Sequence, residues 1–200
     1  DAIDPGSLGA HAERLAFWLN VYNALLIHAV AARRISTSIR DADDFFDGPH
    51  YRIGGEAATL DVIEHGILRR NRRKYMGIRP VLGSHDRRGT WAIHTVDPRI
   101  HFALYTAARS TPVLRVHEPR ELHEGLDHAT REYLDGEVRV DTEHETVMLP
   151  AAFRWYRGDF GNSPGEILDY VARHLPDDSR RRHLRARGAR LEIRHKIGRA

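Results

Sequence analysis

Apolar residues run almost without a break from Leu15 to Val30 (LAFWLNVYNALLIHAV). Such a run predicts a helix buried on nearly all sides. Asn20, Asn23 and His28 interrupt it, so it reads as too short and too polar to span a membrane. Asn20 and Asn23 lie three apart, on one side of that helix. Buried amides need partners, so this pair is expected either to clamp a neighbouring loop or to face a ligand.

Further along, the pattern changes period. Tyr51 to Leu60 carries Gly54-Gly55 between apolar residues and predicts a small hairpin. DVIEHGILRR, from Asp61, predicts a helix capped by Thr59 or Asp61. Glu64 stands three residues after Asp61, as in a capping box, which would give it a structural job. In DPRIHFAL, from Asp97, alternation puts Ile100, Phe102 and Leu104 on one face of a short strand and His101 on the other. A polar turn with Arg109 and Thr111 follows.

The second half is equally patterned. Pro119 to Leu134 predicts an amphipathic helix with Leu122, Leu126, Ala129 and Tyr133 on one stripe. Val138 to Val140 and Val147 to Leu149 predict a hairpin, and Ala151 to Tyr156 a short aromatic helix. Ser163-Pro164-Gly165-Glu166 is a helix start: a Ser cap, Pro first and Glu third. That helix is expected to run to about His174, before Pro176. A short helix over Ser179 to Arg187 and a strand over Leu191 to Ile197 complete the chain. The sum is α+β: a helix-rich single domain over residues 1–200, with short antiparallel hairpins around a buried N-terminal helix and no βαβ rhythm. Residues 1–14 read as a leader segment of a fragment.

Composition narrows the chemistry. Hydrophobic residues make up 41% of the 200 and charged residues 30%, as in a globular chain with a real core. There is no cysteine, which excludes disulfides, thiolate zinc sites and a cysteine nucleophile within this chain. The net charge of +3 is uneven: Ser179 to Ala200 holds nine Lys or Arg and one Glu, while the rest has 22 basic and 27 acidic residues. A basic end can meet nucleic acid, an anionic membrane or the acidic body of its own domain. The interspersed Leu184, Leu191 and Ile193 favour packing on that body, and the aromatic platforms of a nucleic-acid binder are missing. Asn71 to Met76 reads as a solvated basic run. No phosphate-binding GxxxxGK[ST] loop, no GxGxxG and no GxSxG elbow occurs. His123-Glu124 with His128 misses the HExxH spacing by one residue.

FWLNVYNALLIHAV, SIRDADDFFDG, YRIGGEAATLDVIEHGILR, DPRIHFAL, LPAAFRWYRGDFG and ILDYVARHLP follow one another in this order. Together these blocks resemble the family known as domain of unknown function 547, from about Leu15 to the C-terminus. The resemblance implies a bacterial or plant protein, cytoplasmic or exported, whose activity the family's description does not supply. It also implies a Cys-Gly after HFAL and a second Cys before Pro. This chain has Thr106-Ala107 and Thr111 at those positions.

Two functional readings follow. In the first, Glu64, His65 and His101 are catalytic, and Asn20, Asn23, Asp97, Arg99 and Arg109 bind substrate. A carboxylate beside a His sets its tautomer and prepares it as a general base, and an Arg holds an anion or an oxyanion. That suits a hydrolase or group-transfer enzyme acting on a small polar or anionic ligand. No cofactor is expected; His65 and His101 with Glu64 or Asp97 form the alternative of a divalent metal site. In the second reading the domain is a non-catalytic ligand-binding or protein-interaction scaffold that has lost the family's Cys pair. Arg99 and Arg109 would then pair with the Asp41 to Asp47 loop.

Overall fold

The computed structural model describes residues 4–36, 39, 42, 44–48, 50–106 and 113–196. The architecture is α+β, helix-rich with a few short strands. The chain divides into two compact units, residues 1–125 and 126–199, and the division falls inside one helix, α2 (Leu122–Glu137).

The first unit is organised by α1 (His11–Ala32), longer at both ends than the apolar run that predicts it. Leu15, Trp18, Leu19, Tyr22 and Leu26 recur at helical spacing, and each is at most 1% exposed. Trp18 stacks on Trp91 with ring centroids 5.6 Å apart. At 22 residues α1 has the length and composition of a membrane-crossing helix, but it carries the buried Arg14 and Asn23 on its core face. Arg14 donates to the carbonyls of Thr90 and Ala92 at 3.1 Å and of Leu8 at 2.6 Å. The guanidinium thereby supplies donors to carbonyls that the short turn Arg87–Trp91 leaves open.

The predicted hairpin is present as β1 (Tyr51–Ile53) and β2 (Glu56–Ala58), with Tyr51 opposite Ala58. Gly54 and Gly55 turn it at φ 55° and 84°, a conformation that side chains resist. A π-helix follows at Val62–Leu68, and a 3₁₀-helix stands at Pro98–Phe102 where a strand was expected. That correction has a packing cause. Ile100 and Phe102 are fully buried, His101 is 9% exposed, and Ala103 and Leu104 are each 3% exposed. A segment buried on all sides has no polar face for period-2 alternation to register. Asp97 and Pro98 then start the single turn.

In the second unit β3 (Arg139–Asp141) pairs antiparallel with β4 (Thr146–Leu149), as the pattern predicts. The last strand, β5 (Glu192–His195), pairs parallel with β4, Val147 opposite Ile193, so antiparallel hairpins are not the whole of its sheet. Between β4 and β5 lie α3 (Ala152–Trp155), α4 (Arg157–Phe160), α5 (Pro164–His174) and α6 (Ser179–Arg187). The start of α5 is as read: the Ser163 hydroxyl accepts from Glu166 N at 3.2 Å, and Glu166 accepts from Asn162 N at 2.7 Å. The basic end is packed on its own unit. Arg180 pairs with Asp135 and Asp178, Lys196 with Glu137 and Arg187 with Glu145.

Candidate functional site

A group of buried ionisable side chains gathers on and beside the π-helix of the first unit. Asp61, Glu64, His65 and Arg69 are between 4% and 8% exposed. Four-residue spacing places Asp61, His65 and Arg69 in register along the helix, a signal already legible in the sequence. The helix itself is widened. Arg69 N donates to Glu64 O at 2.8 Å and Asn71 N to Gly66 O at 2.9 Å, both across five residues. Such π-turns are rare and occur often at functional sites. Gly66 permits the approach of Leu82, whose Cγ lies 2.9 Å from where a Cβ would stand.

The expected capping box is absent. Asp61 already has helical backbone and makes no side-chain cap. Thr59 does that work, its hydroxyl accepting from Val62 N at 3.1 Å. Both carboxylates are therefore directed elsewhere. Asp61 forms an ion pair with Lys74, and its other oxygen lies 3.7 Å from His65 Nε2. The Tyr22 hydroxyl donates to Glu64 Oε2 at 3.4 Å, and Glu64 Oε1 lies 3.9 Å from His65 Nδ1.

The tautomer of His65 follows from Arg69. A guanidinium has donors only, and Arg69 Nη1 lies 3.0 Å from His65 Nδ1. Nδ1 must therefore accept, which puts the proton on Nε2, facing Asp61. Burial pushes the His65 pKa below its ordinary value; Glu64 and Asp61 pull it up, while Arg69 and Lys74 push it down. His65 is thus a neutral ring held between Arg69 and Asp61.

The other expected site residues are placed as follows. Asn23 donates to Ala103 O at 3.1 Å and accepts from Tyr105 N at 2.8 Å. Asn20 donates to His117 O at 2.8 Å and accepts from His117 N at 2.9 Å. Each amide thus mimics a strand partner for a passing backbone. Asp97 accepts from Arg99 N at 3.0 Å, capping its own turn, and binds the Arg99 guanidinium at 2.5 Å. Burial raises the Asp97 pKa, but the hydrogen bonds and charge of Arg99 outweigh it and hold the carboxyl below its ordinary range. Arg99 also donates to His123 O at 3.2 Å. In the acidic loop Asp44 pairs with Arg33 at 2.7 Å. His101 is buried on the 3₁₀-turn, and Asn23 ties the segment just after it to α1, one residue from Tyr22. Arg109 and Thr111 lie outside the described residues. Among the described residues no three His, Asp or Glu side chains form a group suited to a metal ion.

Tyr22, Asp61, Arg69 and Lys74 were not singled out from sequence. In the sequence Asp61 reads as one of two candidate caps, Tyr22 as part of an apolar helix and Lys74 as part of a solvated run. A family model described as "Protein of unknown function, DUF547" matches residues 6–134. The chain belongs to this family. No curated protein and no solved structure matches it. The DUF547 match contains every residue of the π-helix group and all the expected site residues. It ends within α2, short of the C-terminal blocks from which the resemblance was also read.

Proposed function

We propose that this DUF547 domain carries out acid–base chemistry at Glu64, as a hydrolase or group-transfer enzyme acting on a polar, anionic substrate. The Glu64 carboxylate takes the proton of an attacking water or hydroxyl and returns it to the leaving group. Tyr22 orients that carboxylate. His65 is a positioning residue, fixed by Arg69 and Asp61, and His101, buried on the 3₁₀-turn, is assigned as a second polar group. One observation carries the reading: a buried carboxylate pair on a π-turn, in which neither member caps the helix. Ionisable side chains gathered in a buried setting, with a neighbouring His whose pKa burial lowers, are characteristic of reacting centres.

A second reading, a non-catalytic ligand-binding or interaction scaffold, draws on a different observation. Asn20, Asn23 and Asp97 all serve the backbone, and half-buried Thr106 stands where the resemblance leads one to expect cysteine. A panel of activated carboxyl esters, phosphoesters and amides, offered to the wild type and to Glu64→Gln, separates the two. Turnover of one class, reduced by about 10²–10⁴-fold in Glu64→Gln at unchanged melting temperature, supports catalysis. Equal turnover by the variant, or turnover of none of the panel, favours the scaffold.

A further inference from the structure

The stretch from Arg70 to Pro80 (RNRRKYMGIRP) breaks two local rules at one point. Met76 has φ 63°, in the left-handed region that favours glycine, and it is 85% exposed. Ile78 is 84% exposed, and Tyr75 beside them 42%. A strained, protruding apolar tip is an unusual use of Met and points to a role outside the fold.

Cations flank the tip along the chain. Arg70, Arg72, Arg73 and Arg79 are exposed, and Arg70, Arg73 and Arg79 have no side-chain partner among the described residues. No acidic residue occurs between Glu64 and Asp86. The protrusion is also held in shape. The Asn71 amide donates to Leu82 O at 2.8 Å and accepts from Leu82 N at 2.9 Å, and Gly77 N closes a turn on Lys74 O at 2.9 Å. Lys74 is anchored on Asp61, and Arg69 donates to Arg73 O at 3.0 Å. The tip is thus presented in a fixed pose.

We propose that this protrusion docks the domain on an anionic lipid surface. Met76 and Ile78 enter the boundary between headgroups and acyl chains, while the arginines meet lipid phosphates. Aliphatic residues at the tip and an acid-free cationic rim are the complement of such a surface. A single-stranded nucleic acid would call for stacking aromatics, and Tyr75 is the only Phe, Trp or Tyr between Arg69 and Thr90.

The test is co-sedimentation of the full chain with vesicles of phosphatidylglycerol and phosphatidylcholine, against phosphatidylcholine alone. Binding is expected to the anionic vesicles only, weakening with salt. Each arginine contributes about fivefold, so Arg70→Glu with Arg73→Glu is expected to lose at least about 25-fold. Met76→Gly separates membrane docking from a structural role. Glycine relieves the left-handed strain, so this variant is expected to melt a few degrees higher, by about 2–4 °C, yet to bind anionic vesicles more weakly. Ile78→Ser is the second apolar variant, should Met76→Gly perturb the turn. Absence of binding to anionic vesicles overturns the proposal. So does binding that neither apolar variant weakens, or tighter binding to a random-sequence oligonucleotide than to vesicles.

Discussion

Two turns of the first unit look alike in sequence and differ in what their acids do. Asp61 to Leu68 and Asp97 to Phe102 each join an acidic residue, a His and a tight apolar set. In the second turn Asp97 caps its own backbone and grips Arg99 two residues on. Its charge is answered locally. In the first turn Thr59 does the capping, which leaves Asp61 and Glu64 to Lys74, His65 and Tyr22. An acid at a helix start therefore has chemistry available only when another residue satisfies the helix end. The same two carboxylates that read as a capping box stand buried and paired elsewhere, with Thr59 two residues earlier doing the capping.

Several changes break or sharpen this contrast. The largest expected effect is on turnover: Glu64→Gln loses about 10²–10⁴-fold once a substrate class is in hand, with little change in melting. The opposite split is expected for Asp97→Ala. It removes a cap and the carboxylate bound to the Arg99 guanidinium, which is 15% exposed. Chemical denaturation is expected to show a loss of about 3 kcal/mol.

Acidification distinguishes the turns next. Unfolded, a His titrates near its ordinary value of 6.5, and folded His65 titrates below that. Between the two values the unfolded chain binds more protons. The stability contributed by neutral His65 is thus complete above pH 6.5 and falls as pH drops from there toward the folded value. Asp97 has the same sign, but its window begins below its ordinary 3.8. One group contributes at most about 1.4 kcal/mol per pH unit. His65→Asn is therefore expected to flatten the stability curve just below pH 6.5 and Asp97→Ala to leave it there unchanged. Burial also lowers the pKa values of His11 and His117, so part of the slope persists in His65→Asn. The smallest effect is that of Thr59→Ala, about 1 kcal/mol from the lost cap. It would sharpen the comparison further if Asp61 swung back to cap the helix, because Lys74 would then lose its partner.

The elements were legible where a local signal had no competitor. Ser163-Pro164 starts α5 at the expected residue, Gly54-Gly55 turns the first hairpin, and the α6 boundaries stand as read. The strand expected at Ile100 failed because burial on every side erased the alternation on which the reading rested. The parallel partner of β5 was beyond reach, since pairing across four intervening α-helices and a 3₁₀-turn leaves no mark on the local pattern. At the candidate site, Glu64 and His65 were visible from composition, and the four-residue repeat of Asp61, His65 and Arg69 was present in the text of the chain. The π-register was not, because no side-chain pattern announces one extra residue in a turn. Nor was the capping role of Thr59, which competed with an equally good candidate in Asp61.

The central claim is that His65 is a neutral ring, proton on Nε2, held between Arg69 and Asp61 so that Glu64 is left as the proton acceptor. Nitrogen-resolved NMR of the His65 imidazole, followed through a pH titration, measures this directly. A single Nε2–H tautomer that stays neutral at pH 6.5 and below is the expected result. A ring protonated on Nδ1, or one that titrates at or above pH 6.5, would contradict the account and return the basic role to His65.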